Sequence, residues 1–224
     1  MEPIIATVLI IVMVGGVGAW VVIDGRKRKA TTAALAAPLS ERGWTLAARG
    51  DQVAAGLSVV PFGAGSQRRC EDVIQSSDKD IVSFTYRWTT GSGKNKNHHT
   101  RRVTMLMGGP KLPKLEVEAD TVIAKMRAAA SGGDHNVELA EFNKAWSVQA
   151  TDERVGHAVI HPLMIDRFMQ PDLLGRAVFF EKGRIGLVDY VVQFEDIVIH
   201  TDAAVATLRD IDRLLPEFLR AELS

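Results

Sequence analysis

The most constraining feature of this chain is its start: Ile4 to Ile23 reads IIATVLIIVMVGGVGAWVVI, twenty consecutive residues without a charge. As a helix rising about 1.5 Å per residue, the run is about 30 Å long, the thickness of a bilayer's hydrocarbon core. A soluble helix of that length would carry a polar stripe along one side, and none is present. Trp20, near the far end, suits a membrane interface. Only Met1, Glu2 and Pro3 precede the run, whereas Arg26, Lys27, Arg28 and Lys29 follow it. A cleaved secretory signal would place its charge before a shorter apolar stretch. The pattern therefore predicts an uncleaved single-pass anchor in the cell membrane, N-terminus outside and the following domain cytoplasmic. Gly15 and Ala19 stand four apart, a small-residue pair that lets two such helices pack closely, so self-association is one expectation.

Beyond the anchor, residues 30–224 carry 23 basic and 25 acidic residues, so no overall basic field draws the domain onto nucleic acid. The single cysteine, Cys70, has no partner for an internal disulfide. Three segments are expected: an anchor with its basic flank (1–29), a helical stalk (30–43) and a cytoplasmic α+β domain (44–224). A glycine-rich break near 131–134 divides that domain into two lobes in this reading.

Within the domain, the strongest β pattern is Asp80–Thr90, where Val82, Phe84, Tyr86 and Trp88 alternate with polar residues. Thr89–His99 reads as a long polar hairpin tip, and Val103, Met105 and Met107 alternate on the return strand. Trp44–Ala48, Lys114–Ala119 and Ala145–Ala150 read as further strands. Ala177–Glu181 and Ile185–Val192 form a hairpin around Lys182-Gly183, and Asp196–His200 reads as an added strand. Helices are expected at Thr121–Ala130, after a cap at Thr151 or Asp152, from Pro162 onward, and from about Asp202 to the end. In that last helix Val205, Leu208, Ile211, Leu215 and Leu219 recur every three or four residues. The mixed order, rich in hairpins, gives an α+β fold with a C-terminal amphipathic helix.

No residue set converges on catalysis. His157 and His161 are four apart, a metal-sharing spacing, but Pro162 disturbs the helix there and no third ligand is evident. Packing or capping is the simpler role for both, and solvation for His98 and His99. Asp152-Glu153 reads as a helix cap, and Glu116 with Glu118 as the solvent face of a strand. No nucleophile elbow occurs. The expectation is no enzyme, no cofactor and no metal. The candidates for anion or lipid contact are basic. Arg26, Lys27, Arg28 and Lys29 flank the span. Arg68 and Arg69 follow PFGAGSQ, a loop whose N–H groups suit an anion nest, and Lys94, Lys96, Arg101 and Arg102 cluster about the hairpin tip.

Several short pieces recur in order along the domain. They are Arg42-Gly43-Trp44, Pro61-Phe62-Gly63-Ala64-Gly65 with Arg68-Arg69, Phe84-Thr85-Tyr86-Arg87-Trp88-Thr89-Thr90 and Leu112-Pro113-Lys114-Leu115-Glu116-Val117, followed by Glu141-Phe142-Asn143-Lys144, His161-Pro162 and Pro216-Glu217-Phe218. In these the chain resembles a bacterial, mainly actinobacterial, family of unknown function, some of whose members are membrane-anchored. The resemblance implies a shared fold and supplies no catalytic residues; Cys70 stands where the family pattern tends to alanine.

The leading functional expectation is a membrane-anchored, non-enzymatic accessory or scaffolding protein with a protein partner, alongside a larger membrane complex. The alternatives are a module that binds an anionic ligand or lipid headgroup, and an enzyme of unknown reaction.

Overall fold

The computed structural model describes residues 29–119 and 142–223. The apolar span, Gly15 and Ala19, the helix expected at Thr121–Ala130 and the break near 131–134 lie outside the described residues. Among the described residues, no helix is long and apolar enough to cross a membrane. The chain divides into two compact units at the Arg42–Gly43 junction. In the first, residues 29–41 are helical through Pro38, and Arg42 closes the helix by donating from its guanidinium to the Pro38 carbonyl at 2.8 Å.

The second unit is built on one eight-stranded antiparallel sheet. Its strands are β1 (Trp44–Arg49), β2 (Ser66–Ser76), β3 (Ile81–Thr90), β4 (Asn97–Met107), β5 (Leu115–Ala119), β6 (Trp146–Ala150), β7 (Ala177–Glu181) and β8 (Arg184–Asp189). Their spatial order is β1-β2-β3-β4-β8-β7-β5-β6. The first four form a meander; the β7–β8 hairpin then enters between β4 and β5. The passage from β4 to β5 runs past the tip of that hairpin, where Gly109 N–H donates to Gly183 O at 3.0 Å and Lys182 N–H to Leu112 O at 3.2 Å.

Alternation assigns the two faces. Leu115, Val117, Val178, Phe180, Ile185 and Leu187 point toward four helices, α1 (Glu153–Val159), α2 (Pro162–Phe168), α3 (Ile197–Leu214) and α4 (Glu217–Glu222). Asp152 caps α1, its Oδ1 accepting from Val155 N–H at 3.2 Å, and Pro162 opens α2 at a position where no intrahelical donor is required. The α3 helix presents Ala204, Leu208 and Ile211 to this core. Polar groups on that side are matched among themselves: the hydroxyls of Ser83, Thr104 and Thr201 are linked at 2.8 and 3.1 Å. The Asp196–His200 segment, expected as a strand, instead ends a 3-10 turn (Phe194–Asp196) and begins α3, because Ile197, Val198 and Thr201 recur with helical spacing and are buried together.

The opposite face carries Val82, Phe84, Tyr86, Val103, Met105 and Phe179, and among the described residues no long helix covers it. Residues 50–65 lie there instead, a 3-10 turn (Asp51–Ala54) and a loop that bury Leu57, Val59 and Phe62. Two carboxylates from the sheet hold this segment. Glu181 accepts from Ser58 N–H at 2.8 Å and from the Ser58 hydroxyl at 2.7 Å, and Glu116 accepts from Val60 N–H. Lys182 Nζ and Arg184 Nη1 bond the Gly56 and Ala55 carbonyls at 2.8 and 3.0 Å. Glu116, expected on a solvent face, is 3% exposed because this segment covers it. Its charge is met by Lys114 Nζ at 3.3 Å.

Strand β2 is absent from the strands that alternation predicts, and its irregularity explains why. Register shifts fall between Ser66 and Arg69 and between Glu71 and Ile74, with Gln67 and Asp72 at positive φ of 52° and 51°. Each extra residue resets the alternation, so no period of two survives along the strand.

Two outcomes follow from these contacts. A Cβ on Gly186 would lie 2.1 Å from the Phe179 ring on the neighbouring strand. Gly186→Ala is therefore expected to lose about 2–3 kcal/mol in urea unfolding, as Phe179 leaves its place over β8. For Glu181, burial alone would raise the pKa, but the Ser58 N–H and hydroxyl, with Lys182, outweigh it and hold the carboxyl below its ordinary 4.5. A folded pKa below the unfolded one gives stability above the unfolded value that is lost as pH falls through the folded one. Between about pH 5 and pH 3, stability should fall less steeply in Glu181→Gln than in the parent.

Candidate functional site

Two neighbouring features stand out at the end of the sheet where β3 turns into β4. One is a groove of about 420 Å³ on the face that carries residues 50–65. Val60 and Pro61 form one wall, Trp88, Ala177 and Val188 the floor, and Gly175, Arg176 and Tyr190 the far side. Register places the floor on one face: Val188 pairs with both Ala177 and Val103, and Trp88 with His99. Trp88 is stacked between Tyr86 and His99, at ring distances of 5.5 and 4.9 Å, so its indole is fixed. The Arg101 guanidinium lies 5.9 Å from the centre of the Tyr190 ring, a cation–π contact. Val60 and Tyr190 are more than half exposed, as is Val191 beside them.

The other feature is charge. Arg68 and Arg69 leave β2 at this end, Arg87 lies across from Arg69 on β3, and Lys94 and Lys96 stand at the hairpin tip. The tip is shorter than expected, residues 91–96, because β4 already begins at Asn97. Thr89 and Thr90 hydroxyls bond the His98 and His99 rings at 3.1 and 2.7 Å, which extends the ladder outward. Glu71 meets Arg87 at 2.8 Å and Arg69 at 3.8 Å.

Beside Arg68 is a smaller recess of about 250 Å³, lined by Asp51, Gly56, Gly63, Cys70 and Tyr86. Asp51 Oδ1 accepts from Cys70 N–H at 2.9 Å, which docks the 3-10 turn on β2. The thiol within is inert: burial, and secondarily the Asp51 charge, push its pKa up to about 12.

Of the basic residues singled out from the sequence, Arg26, Lys27 and Arg28 lie outside the described residues, and Lys29 is exposed at the start of the first helical segment. Arg68, Arg69, Lys94, Lys96 and Arg101 come together at the β3–β4 end. Arg102 does not join them. It points to the other face, 2% exposed, where its Nη1 donates to Asp72 O at 3.0 Å and to Thr85 Oγ1 at 3.3 Å. Burial, partly offset by the Asp72 charge, pulls its pKa down to about 10. A period of two should have separated adjacent Arg101 and Arg102 at once. Arg87, Trp88 and Tyr190 also belong to this region, although no basic run marks them in the sequence.

His157 and His161 do not converge. His157 Nδ1 donates to Glu153 O at 2.7 Å, within its own helix, while His161 Nε2 donates to Leu214 O at 2.9 Å. Asp189, buried at the end of β8, faces Arg176 Nε and His200 Nδ1, each 3.4 Å from its Oδ2. The different settings of the paired arginines give a direct expectation. Arg102→Ala should lose about 3 kcal/mol or more, by emptying a buried polar site, whereas Arg101→Ala should stay within about 0.5 kcal/mol in thermal unfolding.

No protein-family model matches the chain, and no curated protein matches it by sequence. Among solved structures, its fold is similar to that of the mycobacterial trehalose monomycolate transport factor A, TtfA. The similarity has a TM-score of 0.53 at 11% identity and covers 80% of this chain and 93% of that one. At that identity the likeness is one of architecture, and it spans nearly the whole of the chain in that structure.

Proposed function

We propose that this chain is a membrane-held, non-enzymatic accessory protein of a membrane transport assembly, its α+β domain acting as an interaction module. The observation that carries the reading is the architecture shared with a transport factor across 80% of the chain. The uncharged run Ile4–Ile23 with its basic flank supports an anchor, and the positive-inside rule favours a cytoplasmic domain. The chemistry of the site agrees with a binding role: the polar side chains with the best geometry hold the fold. Glu116 and Glu181 fasten residues 50–65, Asp189 is flanked by Arg176 and His200, and both α1–α2 histidines bond backbone carbonyls.

The test is extraction and co-purification from native membranes. The full chain is expected to resist alkaline carbonate and dissolve only with detergent, and to bring down a polytopic membrane transport protein in stoichiometric amount. Release by carbonate would remove the anchor; a detergent-solubilised chain with no reproducible polytopic partner would remove the accessory role.

A further inference from the structure

The cations at the β3–β4 end have a distribution that the fold alone does not explain. Across residues 66–71 and 85–102, Glu71 is the one carboxylate, whereas Arg68, Arg69, Arg87, Lys94, Lys96 and Arg101 are all exposed or half-exposed. The domain as a whole has a slight acidic excess, so this is a local concentration and not a share of a general charge. Glu71 is shared between Arg69 and Arg87. Arg68, Lys94, Lys96 and Arg101 have no carboxylate partner among the described residues. Like charges gathered on one edge repel one another, so the arrangement gains only when something negative meets it.

The apolar surface at the same end is the second, independent observation. Val60, Tyr190 and Val191 are 54%, 57% and 58% exposed and lie near one another, whereas the more exposed Ile199 and Leu163 are on separate helices. Val60 and Tyr190 stand on opposite sides of the groove that Arg101 and Trp88 line. Glu118 and Asp189 line it too, Asp189 being met by Arg176 and His200, so the unmatched cations lie outward of the groove, toward the tip. Cations projecting beyond an aromatic and aliphatic shoulder suit a bilayer surface, with basic groups at the headgroup phosphates and Tyr at the interface. An acidic protein would meet the same charge and the same shoulder; the basic flank of the apolar run, which under the proposed function holds this domain close to a bilayer, is what favours lipid.

We infer that the β3–β4 end of the sheet is a peripheral contact for anionic lipid, with Arg68, Lys94, Lys96 and Arg101 at the headgroups and Val60 and Tyr190 at their base. The contact gives the domain a fixed attitude at the bilayer, and it rests on the proposed function for the domain's nearness to a membrane. Binding is the sum of several weak, screened attractions, so it depends steeply on lipid charge and on salt.

The experiment uses the full chain with a single fluorophore, on Asn95→Cys at the tip or on Lys79→Cys at the opposite end of β3. Native Cys70 is buried and escapes labelling. The chain is reconstituted in phosphatidylcholine vesicles with or without about 30% phosphatidylglycerol, both carrying a headgroup nitroxide quencher. With the anionic lipid, quenching at position 95 should exceed that at position 79 by about threefold, and the difference should vanish in about 0.5 M salt. Arg68→Glu/Lys94→Glu/Lys96→Glu should abolish it while leaving the thermal midpoint unchanged, since these side chains make no contact in the core. Tyr190→Ser, milder at the surface, should reduce it.

Equal quenching at the two positions, or quenching at 95 that ignores anionic lipid, salt and the triple substitution, overturns the inference; a tip that serves an acidic protein instead gives that outcome. Carbonate resistance of the same preparations reads the anchor separately. An inserted chain with an unquenched tip fails only the lipid contact, and a carbonate-released chain fails only the anchor.

Discussion

The rest of the domain depends on how residues 50–65 are fastened. A segment without long helix or strand has to bring buried N–H and C=O groups against an apolar sheet face, and each left unmatched would cost about 1–3 kcal/mol. The solution is complementary. Carboxylates of Glu116 and Glu181 take the N–H groups of Val60 and Ser58, while Lys182 and Arg184 take the carbonyls of Gly56 and Ala55. With its backbone satisfied, the segment can lay Leu57, Val59 and Phe62 over Phe84, Tyr86 and Phe179, with ring distances from Phe62 of 4.8 to 6.2 Å. The charged residues involved come from β5, β7 and β8, so closing the sheet and covering it are one event.

That dependence also decides what was legible in the sequence. Strands whose neighbours are regular showed themselves by alternation: β3, β4, β5 and the β7–β8 hairpin fall where Phe84, Val103, Val117 and Phe179 predict. The cap at Asp152 and the start at Pro162 were equally local and equally readable. What failed was set by distant contacts. Two bulges erased the period in β2, and Glu116 looked solvent-facing because nothing in KLEVEA reports that residues 50–65 lie across it. The α3 helix begins five residues before Asp202 because Ile197 and Val198 pack on the sheet, a preference that β-branched residues alone would not give.

The candidate site was legible in the same uneven way. Sequence proximity gathered Arg68 with Arg69 and Lys94 with Lys96, but the pairing of β2 with β3 was needed to bring both groups, with Arg87, to one end. Sequence proximity also misled, since Arg101 and Arg102 are adjacent in the chain and opposite in the sheet. Tyr190 falls within the strand expected over Ile185–Val192, but β8 ends at Asp189, next to β4, which leaves Tyr190 outside the ladder and exposed.

The strand order has a consequence for synthesis. Residues 44–107 can form their meander as soon as they emerge, and β5 can pair with β6, but β4 and β5 gain their second neighbours only when residues 177–189 arrive. Until then the nascent chain holds two partial sheets, each with an open edge able to accept a foreign strand. The β7–β8 hairpin acts as a keystone: it is late, short and flanked on both sides, so the domain's exposure to mispairing is set by the time the ribosome takes to reach Asp189.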